Sequence, residues 1–265
     1  MLSFPALLWL STVAGLLGLD STGALQVMVS RPLVVGGVFG MLMGDTATGL
    51  MMGSLVEMLC MAGVPVGSLV PPDGATAAAM AAAVAIHLAH ASAQASSPAA
   101  AASLGLLAAV PAGAFGARAE VLQRILVNRL SRRADADLDA GRLPHLGGLL
   151  AAALGLAWLR GALVCALSLG LGLPVLGWIL ANLPPEGIRA LHWCFWLSWL
   201  LGMAVAANHF WDRRGLKYAA AAALALAVFG TQFDSSQAGV LAAAVGAALA
   251  AGLWRWTGAR RGELA

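Results

Sequence analysis

Charge is what this chain has least of. Asp, Glu, Lys and Arg make up 10% of its 265 residues, against about 25% in an ordinary soluble domain. No stretch is polar enough to stand as a separate soluble domain. Tyrosine occurs once. The cysteines, Cys60, Cys165 and Cys194, all lie in apolar surroundings, and none belongs to a C-x-x-C pair. They read as small buried residues, not as disulfides or ligands. A phosphate-binding loop, a G-x-S-x-G elbow and an H-E-x-x-H motif are all missing. ATP hydrolysis by the chain is thereby excluded and covalent catalysis disfavoured, so no catalytic residue and no cofactor are expected. The net charge of +3 comes mostly from bases in connections between apolar segments. It is no signal for nucleic acid.

Apolar residues supply what charge does not. They make up 60% of the chain, and the mean hydropathy is +0.85. A membrane helix needs about 20 apolar residues, so the length allows roughly eight to ten segments. Apolar runs fall at 2–19, 33–44, 47–63, 75–91, 99–117, 147–170, 190–208, 216–232 and 238–256. The expected fold is an all-α polytopic membrane protein of roughly eight to nine helical segments, some broken or re-entrant. One membrane domain over 1–265 is expected, in three parts. Residues 1–117 form a Gly/Pro-broken half carrying the substrate site. Residues 118–146 form an amphipathic cytoplasmic connection, and 147–265 a four-span C-terminal half. The N-terminus lacks the basic n-region of a signal peptide and reads as a retained first segment.

The most informative stretch is 31–75, RPLVVGGVFGMLMGDTATGLMMGSLVEMLCMAGVPVGSLVPPDGA. It is apolar enough for a membrane yet holds Asp45, Glu57 and Asp73, with Arg31 as its base. Acids at membrane depth are costly and mark substrate or ion paths by default. Glycines and prolines cut the stretch into pieces too short for ordinary spans, and transporters place binding sites in such broken segments. Segments 33–44 and 47–63 read as a re-entrant hairpin or as two halves of one broken helix. Gly36, Gly40 and Gly44 share one helical face, and Gly49 and Gly53 repeat the spacing, as packing seams of small residues do.

Basic residues set the orientation. Arg118, Arg124, Arg129, Arg132, Arg133 and Arg142 form one group, Arg213, Arg214 and Lys217 a second, and Arg255, Arg260 and Arg261 a third. Two crossings separate each group from the next, so all three share a side, and that side is cytoplasmic. Within 118–142, Val121, Leu122, Ile125, Leu126 and Leu130 recur at helical spacing between arginines, as in an amphipathic helix. The stretch 171–189 is too short and too Pro-broken to span twice, and a short helix on the outer face is expected there.

Each candidate residue has a structural reading beside the functional one. Glu57, in GSLVEMLCMAG, must find a partner, a water or a ligand. It reads as a ligand contact, with a helix–helix hydrogen bond as the alternative. Asp73 follows Pro71 and Pro72 and suits both the N-cap of the next helix and a substrate contact. Asp45, in MGDTATG, reads first as a turn or N-cap. Arg31 is a possible partner for one of these acids. His87 and His90 have a spacing that could bind a metal, but no Cys or carboxylate joins them in sequence.

Arg31-Pro32-Leu33, then Gly44-Asp45, Thr48-Gly49, Gly53-x-x-x-Glu57, Gly67 and Pro72-Asp73 resemble, in order and spacing, the IIC membrane subunit of the mannose/fructose/sorbose phosphotransferase system. The likeness covers about 45 residues closely, and chain length and the charged middle loop also match. It implies a sugar-translocating subunit in the bacterial cytoplasmic membrane, with its C-terminus inside. The implied partners are a IID membrane subunit, the soluble IIA and IIB phosphocarriers, membrane lipid and a hexose-like sugar, with IIC–IID units assembled as trimers. Glu57 and Asp73, with Pro72 and Asp45, become substrate-binding candidates, through charge-assisted bonds to sugar hydroxyls. One departure is that Met61–Gly67 lacks the aromatic residue and the Asn that family members often carry there. Two alternatives stand beside this reading. One is a non-transporting scaffold or sensor of the same fold. The other is an unrelated ion-coupled secondary transporter.

Overall fold

The structure, a computed structural model, describes residues 3–22, 24, 26–61, 71–91 and 97–210. The described residues form seven helices and no strand: α1 (Phe4–Thr22), α2 (Pro32–Met43), α3 (Thr46–Cys60), α4 (Gly74–Ala91), α5 (Pro98–Asp139), α6 (Leu146–Asn182) and α7 (Pro185–Phe210). The all-α expectation holds. The segments expected at 216–232 and 238–256 lie outside the described residues. By length and hydropathy, α1, α4, α5, α6 and α7 can cross a membrane. The chain divides into two compact units, 1–195 and 196–265. Of the second, only the α7 residues 196–210 are described.

At the centre of the first unit is α4. Its residues from Thr76 to Ile86 are buried without a break, and it touches α2, α3, α5 and α6. Its sequence, GATAAAMAAAVAIHLAHA, explains how. In lipid, apolar side chains gain little by leaving their surroundings, so close van der Waals packing drives helix association, and small residues permit it. A methyl group at Gly105 of α5 would lie 2.5 Å from the Ala81 carbonyl oxygen. In the same way α1 meets α6 where Gly15 faces Gly161.

An antiparallel hairpin is formed by α2 and α3. With 12 and 15 residues they are about 18 and 22 Å long, too short to cross a core of about 30 Å. The chain reverses at Gly44, whose φ of 81° is the left-handed conformation that glycine adopts most easily. Gly36, Gly40, Gly49 and Gly53 face one another across the hairpin. A methyl group at Gly36 would stand 2.6 Å from Gly53 Cα, and one at Gly53 would stand 2.6 Å from the Pro32 carbonyl oxygen. The expected glycine seams therefore close on each other within the chain. Gly44 belongs to the turn and not to the seam.

Two expectations need correcting. The amphipathic stretch starting at residue 118 is not a separate helix but continues the preceding span, through Pro111, as the 42-residue α5. Residues 171–189 do not form a short helix of their own. Helix α6 runs on through Pro174 to Asn182, and α7 starts at Pro185 after a two-residue break. A proline inside a membrane helix is tolerated because neighbouring groups re-satisfy the freed carbonyl, and Pro185 is preorganised to start a helix. At about 63 and 55 Å, α5 and α6 are each far longer than a bilayer core. They form a long helical hairpin that turns at Gly141, with φ 69°. Its arms leave Val121, Leu122, Ile125, Leu126, Leu146 and Leu150 exposed.

The glycine hairpin gives a direct test. Gly53→Val drives two methyl groups into α2 backbone, and overpacking of this kind costs about 1–3 kcal/mol. Gly155→Val, at a glycine with nothing within 4 Å, should cost little. Thermal unfolding of the detergent-solubilised protein should show a clear loss for the first variant and near-normal behaviour for the second. Equal stability would contradict the packing.

Candidate functional site

Three helix ends meet at the base of the α2–α3 hairpin. A methyl group at Gly74, the first residue of α4, would lie 3.0 Å from Pro32 Cγ at the start of α2 and 3.7 Å from Cys60 Sγ at the end of α3. Glu57 stands one turn before Cys60. Its Oε1 accepts from Arg31 Nη1 at 2.8 Å, and its Oε2 accepts from the Leu33 amide at 3.0 Å. The second bond has a local cause. Pro32 has no N–H, and Arg31 at the N-cap makes no side-chain cap. The Leu33 amide is thus the first orphan donor of α2, and a carboxylate there also suits the helix dipole.

Asp73 does the same for α4. Its Oδ1 accepts from the Thr76 amide at 3.1 Å, and its Oδ2 accepts from Thr76 Oγ1 at 2.9 Å. Its own amide donates to the Gly113 carbonyl at 3.0 Å, which fastens the cap to α5. The approach needs small residues on α5, since a methyl group at Gly116 would lie 2.6 Å from Asp73 Cβ. Pro72, just before it, is exposed. Asp45 caps α3 by accepting from the Thr48 amide at 3.0 Å.

Each of the three acids thus serves a helix start. Glu57, Pro72 and Asp73 come together at the base of the hairpin. Asp45 lies at its tip, about 18 Å along α2 from the base. The carboxylates of Glu57 and Asp73 keep 18% and 14% exposure. Each carboxylate oxygen has two lone pairs, so both groups retain capacity to accept hydroxyl hydrogens.

A buried cation near Asp73 was not singled out in the sequence. Arg160 Nη1 of α6 lies 3.6 Å from both Asp73 Oδ2 and Glu120 Oε2, and its side chain is 7% exposed. It is the lone charged residue in the AWLRGALV run of α6. The rule that flagged the acids, that charge at membrane depth is functional by default, applies to it equally. His87 and His90 line a cleft of about 240 Å³ with Trp9, Leu42 and Met43. Among the described residues no three His, Cys, Asp or Glu are arranged to hold a metal. A cleft of about 510 Å³ between α4, α5 and α6 is lined almost wholly by apolar side chains such as Leu107, Phe115 and Leu171. It suits hydrocarbon rather than a polar cargo.

A family model described as the PTS system sorbose-specific IIC component matches residues 5–251. The sorbose-specific EIIC component of Klebsiella pneumoniae is 28% identical over 138 residues, 52% of this chain. The match spans about half, 48%, of that relative's length. Two solved structures share the fold at 21% identity. One is described as a membrane protein, with a TM-score of 0.59 over 93% of this chain and 95% of that one. The other is the cryo-EM structure of the mannose transporter ManYZ with microcin E492, with a TM-score of 0.52 over 92% of each chain.

The trans cap on α2 can be separated from the ion pair that accompanies it. Arg31 is half exposed, and a pair of that kind is worth about 0–1 kcal/mol. Loss of an N-cap acceptor costs about 0.5–2 kcal/mol. Glu57→Ala should therefore lower thermal stability more than Arg31→Ala, and the double variant should be no worse than Glu57→Ala alone. Equal single effects, with the double variant no worse than either, would show that the Leu33 cap contributes nothing.

Proposed function

The chain belongs to the sorbose-specific IIC family of phosphotransferase-system membrane components, and on that premise we propose that it is the sugar-translocating subunit of such a system. The observation that carries this reading is the convergence of Glu57 and Asp73, each with spare acceptor capacity, where three helix ends meet inside an apolar, broken segment. A sugar presents hydroxyl hydrogens in several directions. Fixed carboxylates held by helix caps are strong acceptors for them, because bonds to ionised groups are roughly twice as strong as neutral ones. Pro72 shapes the approach to Asp73. Asp45, at the far end of the hairpin, is assigned to capping α3.

In this reading the cargo is a hexose-like sugar. It is held by this chain together with a IID membrane subunit and is phosphorylated at the inner face by soluble IIA and IIB proteins. IIC–IID units assemble as trimers in the bacterial cytoplasmic membrane. The turn between α5 and α6, the end of α7 and the basic C-terminus face the cytoplasm. Arginine density supports that orientation. So does helix parity, since α6 and α7 lie between the first two basic groups.

Uptake of sugar driven by phosphoenolpyruvate, in vesicles holding this chain with its membrane partner and the soluble carriers, tests the function. Uptake should vanish when the partner is omitted. Uptake driven by an ion gradient with no phosphorylation would contradict it. Glu57→Gln should weaken apparent affinity roughly tenfold to hundredfold, in line with about 1–3 kcal/mol for a charged acceptor, at near-normal membrane abundance. The capping geometry of Glu57 favours a second reading, a scaffold, which predicts the reverse: lower abundance with unchanged affinity.

Orientation has its own test. A cysteine placed at Ser131 on the α5 arm, with native cysteines removed, should be shielded from an impermeant thiol reagent in intact cells. Labelling from outside would invert the assignment.

A further inference from the structure

Arg160 is surrounded by unusual terms. Its Nε and Nη1 are buried and have no hydrogen-bond partner. Nη1 stands equally far, 3.6 Å, from carboxylates on two other elements, Asp73 at the start of α4 and Glu120 on α5. The Arg31–Glu57 pair, by contrast, closes to 2.8 Å. The two acids are not equivalent. Glu120 Oε1 also accepts from Arg124 Nη2 at 2.6 Å and from its Nε at 3.2 Å. For Asp73, Arg160 is the cation among the described residues. Loss of Arg160 therefore falls on Asp73.

The position of the group matters as much as its pairing. Glu120 lies 22 residues past Pro98, and Arg160 lies 22 residues before Asn182. Both are about 33 Å from the far end of the long hairpin, which is roughly one hydrocarbon thickness. By the basic-residue rule this level is the cytoplasmic boundary, where cargo has to leave the bilayer.

We propose that Arg160 is a positioning residue for the substrate site: shared between Asp73 and Glu120, it sets the Asp73 carboxylate, and with it the start of α4, against the long α5–α6 hairpin. The proposal rests on the reading of Asp73 as a sugar contact. Asp73 is already fixed along its backbone by the Gly113 carbonyl and at one oxygen by the Thr76 amide. The remaining freedom is the aim of Oδ2, which the guanidinium and Thr76 Oγ1 settle together. Gly116 leaves the space in which that carboxylate sits. Without Arg160, only Thr76 Oγ1 remains at Oδ2, and the carboxylate loses its aim.

The test uses the complete complex and reads both uptake kinetics and membrane abundance. Arg160→Gln should raise the apparent KM tenfold or more, with abundance within about twofold of normal. Arg160→Lys, which keeps the charge, should recover most of the affinity. If Arg160→Gln does not accumulate, Arg160→Gln with Glu120→Gln removes the opposing acid and should restore abundance while the KM stays high. Normal KM in Arg160→Gln, or in that double variant, would overturn the proposal and leave Arg160 a structural counter-ion. Asp73→Asn separates the two layers. Unchanged affinity there would overturn the Asp73 reading and this one with it. A weakened Asp73→Asn beside a normal Arg160→Gln would overturn the positioning role alone.

Discussion

The first N–H groups of a helix have no partner within it, and the region from Arg31 to Thr76 is organised around that need. Asp45 and Asp73 answer it locally, as caps on their own helices. Glu57 answers it across the hairpin, reaching from the last turn of α3 to the first free amide of α2. A carboxylate drawn largely out of water without partners would be costly. An amide donor without an acceptor is costly too. Each group removes the other's penalty, so broken helices can stand where unbroken spans would otherwise be required.

Close approach makes the arrangement possible. The four glycines facing each other across α2 and α3 bring the two backbones together, and this in turn places Glu57 beside Leu33. The alanine face of α4 lets the hairpin, α5 and α6 pack on one helix. Gly113 and Gly116 let α5 come up against Asp73. Packing density and polar satisfaction are therefore one design: a larger residue in either seam would move a carboxylate off the helix end that it serves.

Much of this was legible in the sequence, and the part that was not has a common cause. The membrane class, the broken segment, the glycine spacing and the caps at Asp45 and Asp73 depend on residues close in sequence. The Arg31–Glu57 pair spans 26 residues, and its bonding could be suspected but not assigned before the hairpin was known. Arg160 meets Asp73 only through tertiary packing of α4, α5 and α6. The continuity of α5 past residue 117 was hidden because composition turns from apolar to charged there while both parts favour helix. Pro174 looked like a break because proline disrupts helices in water, a rule that relaxes in a membrane bundle. Gly44 shared the spacing of a seam, but its backbone conformation assigns it to the turn.

The central claim is that carboxylates placed to cap broken helices also hold the cargo. A structure of the assembled complex with sugar bound is the most direct measurement. Sugar oxygens should lie within about 3 Å of the Glu57 and Asp73 carboxylates, with the Leu33 and Thr76 amides still bonded to those same groups. Sugar seated elsewhere, with neither carboxylate in reach, would contradict the account and leave both acids as helix caps alone.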